Sequence, residues 1–260
     1  MQDNKRLSLF MEALMIFFCF SSKDRITIVE AILFHITNYE LPVWYDRYKM
    51  LMGDERDYKN FEEGVGGCKY AIIIVSPNAI ESICAQEEIE LIYRRYIKGD
   101  MTVFPIFYNI KANELPEKLR WMTQLVYKEL DAGTDAYSAC NHVICRVLLD
   151  ELEKYKIKSI NDFLGLYEHN SALCYITKLL KAYCRVSDDN KDAQIALLYA
   201  VCQYIREYYN LDDIPAFYYA GVDRLFDETR LHLPIDLREM LIFERLMLLL
   251  INSVLFGYIP

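Results

Sequence analysis

Tyr70-Ala71-Ile72-Ile73-Ile74-Val75 is six apolar residues without alternation, closed by Ser76-Pro77-Asn78. A run this short and unbroken reads as a strand covered on both faces, since a half-exposed strand would alternate polar with apolar. Leu14–Phe20 (LMIFFCF) has the same character upstream. Between the two, Asp24–Asn38 carries helical periodicity, with Ile28, Ala31, Ile32, His35 and Ile36 on neighbouring faces. Leu41–Tyr45 is a second short strand ended by Asp46-Arg47, a loop runs through Met52-Gly53-Asp54, and Tyr58–Cys68 is helical in pattern. Downstream, Ser82–Tyr96 is an acidic amphipathic helix and Met101–Tyr108 (MTVFPIFY) a fourth strand, where Pro105 predicts a bulge or an edge. Gln124–Leu130 supplies a fifth strand and Ala139–Lys154 a further helix.

Strand and helix alternating at this spacing predict βαβ units, and so an α/β fold with a parallel sheet and helices on both faces. Ligands of such sheets bind outside the carboxyl ends of the strands. That rule selects Phe20–Asp24, Trp44–Asp46, Ser76–Asn78 and Asn109–Lys111. From about Ile157 the pattern changes. Ile160–Tyr167, Ala172–Arg185, Asp192–Tyr209, Ala216–Phe226 and Leu237–Tyr258 all read as helices, with caps and turns at Asp188-Asp189-Asn190 and Asp212-Asp213-Ile214-Pro215.

The 260 residues allow one large domain or two modest ones, and 53% hydrophobic content is ample for a core, which excludes general disorder. The net charge of −9 argues against nucleic acid and anionic lipid as partners. Lys and Arg number 17 against 24 Asp and Glu in residues 1–153, and 12 against 14 in the rest, so the acid excess lies on the α/β half. Eight cysteines form no CxxC pair and no repeating spacing; they read as reduced structural thiols in a reducing, cytoplasmic compartment. Cys140 and Cys145 flank His142, but on a helix they stand about 140° apart and no second ligand pair follows, so no metal site is expected. Lys5-Arg6 before Leu7–Phe20 resembles a signal peptide superficially, yet Glu12 interrupts the run and no small-residue cleavage site follows. Leu246–Ile259 is apolar but short of the roughly 20 residues a membrane span needs.

Several residues converge on the expected ligand edge: Phe20 with Ser21, Trp44-Tyr45 beside Asp46, and Ser76 ahead of Cys84 and the Glu87-Glu88 pair. Aromatics beside a carboxylate suit a flat heteroaromatic ring and a developing positive charge. Each has a plainer reading. Trp44 alone reads as a packed aromatic, Glu87 and Glu88 as a solvated helix face, and Ser76-Pro77-Asn78 as a helix cap.

The ordered set resembles the TIR (Toll/interleukin-1 receptor) family, of bacterial type. Phe17–Asp24 resembles the family's first box (F-I-S-Y-S), Leu41–Asp46 its second strand, and Met50–Asp54 the tail of its BB loop. Tyr70–Asn78 resembles the third strand and its serine-led turn, Ile83-Cys84-Ala85-Gln86-Glu87 the W-C-x-x-E helix start, and Phe104–Tyr108 the fourth strand. Cys19 and Phe20 stand at a common serine and tyrosine, and Ile83 at the tryptophan. The resemblance implies a flavodoxin-like sheet at residues 1–155 and does not reach the second half; the helical pattern of 156–260 reads as an all-α domain, whose lack of catalytic motifs suggests oligomerisation or sensing. It implies cleavage of the nicotinamide–ribose bond of NAD⁺ to ADP-ribose or a cyclic isomer, in antiphage defence and activated by self-assembly. On that reading Glu87 is the catalytic carboxylate and Glu88 its rival, rotated by about 100° away from the cleft. Phe20, Ser21, Trp44, Asp46, Ser76 and Cys84 line the substrate. No metal or cofactor is required, NAD⁺ entering as substrate, and the expected partners are further copies of the chain and a separate effector or sensor. The alternative is a non-enzymatic adaptor that binds other TIR domains through Arg47–Asp54.

Overall fold

A computed structural model describes residues 14–134, 136–167, 169–209, 216–231, 235 and 237–256. The start of the signal-like stretch, Asp212–Pro215 and the end of the last apolar run lie outside these.

Five strands form one parallel sheet in the order β2-β1-β3-β4-β5. They are β1 (Ile16–Cys19), β2 (Val43–Trp44), β3 (Tyr70–Val75), β4 (Thr102–Tyr108) and β5 (Lys128–Leu130). All four residues of β1 and all six of β3 are buried, which is why neither shows alternation. Both flanks of the sheet are covered. On one, Phe17, Cys19, Trp44, Ala71, Ile73, Val75 and Phe107 join Val65, Ile89, Ile92, Leu119 and Met122 in a single core.

The register pins the strands. Ile16–Cys19 of β1 pair with Tyr70–Ile73 of β3, and Tyr70–Val75 pair with Thr102–Phe107. The expectation at Pro105 is met only locally. β4 is an interior strand, but its ladder with β5 begins at Ile106, so at Pro105 only β3 borders it. A residue without an amide hydrogen is tolerated at such a place.

The crossovers supply α1 (Glu30–Thr37), the short α2 (Asp46–Lys49), α3 (Pro77–Glu81) and α4 (Ile83–Ile97). Wide π-type turns run over Arg25–Val29, ahead of α1, and over Tyr58–Val65. Ser76 caps α3 by accepting from the Ala79 amide (2.9 Å), with Pro77 at the first helical position; Ser82 caps α4 by accepting from the Ala85 amide (3.3 Å).

The remaining helices are α5 (Tyr137–Leu152), α6 (Ile160–Tyr167), α7 (Cys174–Tyr183), α8 (Lys191–Tyr208), α9 (Ala216–Arg230) and α10 (Leu237–Phe256). Two compact units divide between Val143 and Ile144, inside α5. In the second, α8 packs on α7, α9 and α10 and buries Ile195, Leu198, Val201 and Ile205. Tyr218 belongs to its core, whereas Tyr208 is exposed. All eight cysteines are free thiols, and no described helix is long and apolar enough to cross a membrane.

Candidate active site

The strand order reverses between β1 and β3, so the loops leaving these two strands open the crevice where such sheets take ligands. The chain leaves β1 through Phe20-Ser21 into a 3₁₀ turn, Ser22–Asp24. Asp24 is buried there and reaches across to the other loop: it accepts from the Ser76 hydroxyl (2.5 Å) and the Asn78 amide (2.7 Å). Ser76 is therefore engaged twice, as cap and as donor. Its hydroxyl ties the two halves of the crevice together, which removes it from direct contact with a ligand. Ser21 is buried and accepts from the Lys23 amide (3.4 Å).

A second group lies beside it. Arg25 donates to Asp46 through both nitrogens (2.7 and 2.5 Å) and to the Tyr45 hydroxyl (2.7 Å). Its guanidinium sits 4.9 Å from the Phe20 ring centre and 5.2 Å from that of Tyr45, and the two rings stack at 5.8 Å. The Asp46 hydrogen bonds, before any other cause, raise the affinity of Arg25 for its proton. Burial pushes the Tyr45 phenol up. Phe20 and Asp46 thus hold a planar cation between an aromatic face and a carboxylate, the pairing that the sequence suggested for a ligand.

Trp44 is placed otherwise than expected. It is 3% exposed and stacks on Phe17 at 5.0 Å, with Gly64 pressed against it so closely that an added Cβ would lie 3.0 Å from the indole. It offers no free face for a ligand. The plainer reading of Trp44 as a packed aromatic describes it, because β2 is two residues long and its buried side chain anchors the Tyr58–Val65 turn to the sheet.

The two neighbouring glutamates of α4 have opposite surroundings. Glu87 is half-exposed and ion-paired with Arg56 (3.0 Å), which also contacts Asp57 and stands 5.8 Å over Phe61. Among the described residues no hydrogen bond, ion pair or ring contact joins Glu87 to Phe20, Ser21, Trp44, Asp46 or Ser76. Glu88 is buried. The expected rotation of about 100° carries it into the core beneath the end of β1, so it is not part of a solvated face. It accepts hydrogen bonds from the Asn60 amide and the Cys84 thiol (3.4 Å), and the Cys19 thiol faces it as well. Burial is the largest influence and pushes its carboxyl up to about 7; the three donors pull the other way. Burial likewise pushes Cys84 up to about 12 and Cys19 well above the usual thiol range, so both stay protonated donors. Cys84 accordingly serves the buried glutamate. Sequence reading passed over Asn60 and the inward turn of Glu88; the period of α4, with Ala85, Glu88, Ile89 and Ile92 on one face, carried that signal.

The TIR domain family model matches residues 16–144. This stretch is a TIR domain. The 2′ cyclic ADP-D-ribose synthase BtTIR of Bacteroides thetaiotaomicron is 26% identical over 99 residues, 38% of this chain and 34% of that protein. The NAD(+) hydrolase TcpA of Theionarchaea archaeon (strain DG-70-1) is 23% identical over 100 residues, 38% of this chain and 30% of its own. The NAD(+) hydrolase TcpC of Escherichia coli O6:H1 is 26% identical over 100 residues, 38% of this chain and 32% of its own. The chain thus spans about a third of the length of the curated relatives it matches. Within the TIR domain of this chain, the loops after β1, β2 and β3 bound the crevice, and Glu87 stands on the second turn of α4.

Proposed function

We propose that the TIR domain cleaves the nicotinamide–ribose bond of NAD⁺, with Glu87 as the catalytic carboxylate. One observation carries the choice of residue: Glu87 is half-exposed and free of the core, while Glu88 is buried and its Oε1 already accepts from both Asn60 and Cys84. The names of the relatives support the substrate. In this reading Glu87 leaves Arg56, accepts hydrogen bonds from the ribose hydroxyls, and stabilises the oxocarbenium-like state as nicotinamide departs with the bonding electrons. Water gives ADP-ribose; an adenine nitrogen gives a cyclic isomer. Phe20 and Asp46 border the ligand, with Arg25 between them. Ser21 and Ser76 hold the loops.

The test is incubation of concentrated protein with NAD⁺ and mass spectrometry of the products, with Glu87→Ala beside it. Nicotinamide release by the wild type and a loss of about a thousandfold or more in the variant is the expected result. Equal turnover by Glu87→Ala removes Glu87 from the mechanism.

A specific observation also favours contact between domains. In the loop after β2, Leu51 is 80% exposed and Met52 fully so, with Tyr48 exposed beside them. Apolar side chains held in water mark an interaction surface. This supports activation by self-assembly, which the proposal sets in antiphage defence, and is equally the surface that a non-enzymatic adaptor would use. Absence of NAD⁺ cleavage from an assembled sample decides for the adaptor.

A further inference from the structure

The helical unit contains a groove of about 580 Å³ lined by residues of three segments: Lys154–Lys158, α6 and α10. The strap 154–158 has no helical or ladder hydrogen bonding over its last residues and alternates in exposure. In extended backbone successive side chains point to opposite sides. Here Tyr155 and Ile157 turn inward as half-buried floor, and Lys154, Lys156 and Lys158 stand out along one rim.

The floor is fixed. The Tyr155 hydroxyl is 2.7 Å from that of Tyr218 and 3.2 Å from the buried Glu151, so the ring cannot swing away. Phe163 and Tyr167, one turn apart on α6, form a tilted ring pair at 4.9 Å on one wall. Leu249 and Asn252 face it from α10; the Asn252 amide donates to the Leu248 carbonyl (2.7 Å). Leu166 beside them is left 56% exposed.

Charge sets the ligand. Lys154 is ion-paired with Glu151, but Lys156 and Lys158 have no acidic partner within ion-pair distance among the described residues. Asp162 accepts from the Ser159 hydroxyl (2.7 Å) and amide (3.2 Å) and keeps its charge; it lies near enough to Lys158 for the two charges to interact, but outside ion-pair distance. Two ammonium groups outside ion pairs, Lys156 and Lys158, thus stand beside an aromatic, largely apolar groove. We infer that this groove binds a phosphorylated nucleoside, its ring between the Phe163–Tyr167 wall and Leu249 and its phosphates on Lys156 and Lys158. The volume lies within the range of small-molecule sites and exceeds what a phosphate alone would fill. A fatty carboxylate would use the apolar floor but needs one cation, not two.

The test is hydrogen-exchange mass spectrometry of the full chain with ADP as probe, comparing wild type with the K156E/K158E variant. ADP is expected to slow exchange in peptides covering 160–167 and 249–252, with apparent affinity at least about tenfold weaker in the variant. Both lysines are exposed, so the variant should melt as the wild type does; if it fails to fold, K156Q/K158Q carries the comparison. ADP bound at the strand edge would protect peptides around 20–24 and 76–88 instead, so the result is independent of NAD⁺ cleavage. No protection of 160–167 at saturating ADP overturns the inference. So does undiminished affinity in the variant, equal affinity for pyrophosphate, or protection by oleate in place of ADP.

Discussion

A one-residue step along an α-helix turns the side chain by about 100°, and at Glu87 and Glu88 that step separates a carboxylate in water from one inside the core. Glu88 is 7% exposed, and burial lifts its carboxyl from an ordinary 4.5 to about 7. An acid with a raised value in the folded state binds its proton more tightly there than in the unfolded chain. Its contribution to stability is therefore greatest below about 4.5, falls as the pH rises towards about 7, and is flat above. Glu88→Gln removes this slope. The variant should match the wild type near pH 4.5 and be more stable at pH 8 by on the order of 3 kcal/mol, read from denaturant unfolding at both pH values. Parallel pH curves for the two proteins would mean that Glu88 does not titrate in this range. Glu87, in contrast, is predicted to matter for turnover and little for stability, since its pair with Arg56 is exposed and such pairs contribute at most about 1 kcal/mol. Equal melting temperatures for Glu87→Ala and wild type would separate the two roles.

At the scale of elements, the crevice depends on how the Tyr58–Val65 turn lies against β1 and β2. Gly64 lets it approach: a Cβ there would come within 2.8 Å of the Phe17 ring and 3.0 Å of Trp44. The same turn presents Asn60 to Glu88, and Arg56 stands just before it. Gly64→Ala should push this turn outward and cost about 1–3 kcal/mol, seen as a lowered melting temperature. It should also loosen the Asn60–Glu88 contact, which holds the carboxyl down against burial, so the pH slope described above should steepen with it. An unchanged melting temperature would show that the rings yield without cost. Much of this level was legible beforehand. The unbroken runs at Leu14–Phe20 and Tyr70–Val75 announced buried parallel strands, and Ser76-Pro77 and Ser82 announced helix starts. What pattern alone did not show was the packing of Gly64 on Trp44, since a glycine in a helical stretch carries no apolar signal of its own.

At the scale of the whole molecule, the TIR unit leaves Tyr48 of α2, and Leu51 and Met52 of the loop after it, in water. If activity requires assembly, specific NAD⁺ cleavage should rise with protein concentration. Leu51→Asp with Met52→Asp should abolish that rise while leaving the fold intact, because both side chains are exposed. Light scattering beside the activity measurement checks the cause. Assembly and activity both unchanged in the double variant would place the contact elsewhere.

The sequence by itself determined the element order, the parallel sheet and the carboxyl ends of the strands as the ligand edge, because hydrophobic period and turn residues are local properties of the chain; the strand order that opens the crevice between β1 and β3 came from the structure. It also marked the region of the site, through Phe20-Ser21, Trp44-Tyr45-Asp46, Ser76 and the glutamate pair. Only the tertiary structure decided what each of these side chains faces. Trp44 became core because Phe17 and Gly64 meet it from two other segments; Ser76 became a tie because Asp24 folds back over it; and Arg25 filled the place beside Phe20 and Asp46. Glu88 went inward because Asn60, Cys84 and Cys19 converge on it from three elements. Those partners lie up to about seventy residues apart along the chain, as Cys19 and Glu88 do. Burial and hydrogen bonding over such separations are products of packing, which no local pattern contains.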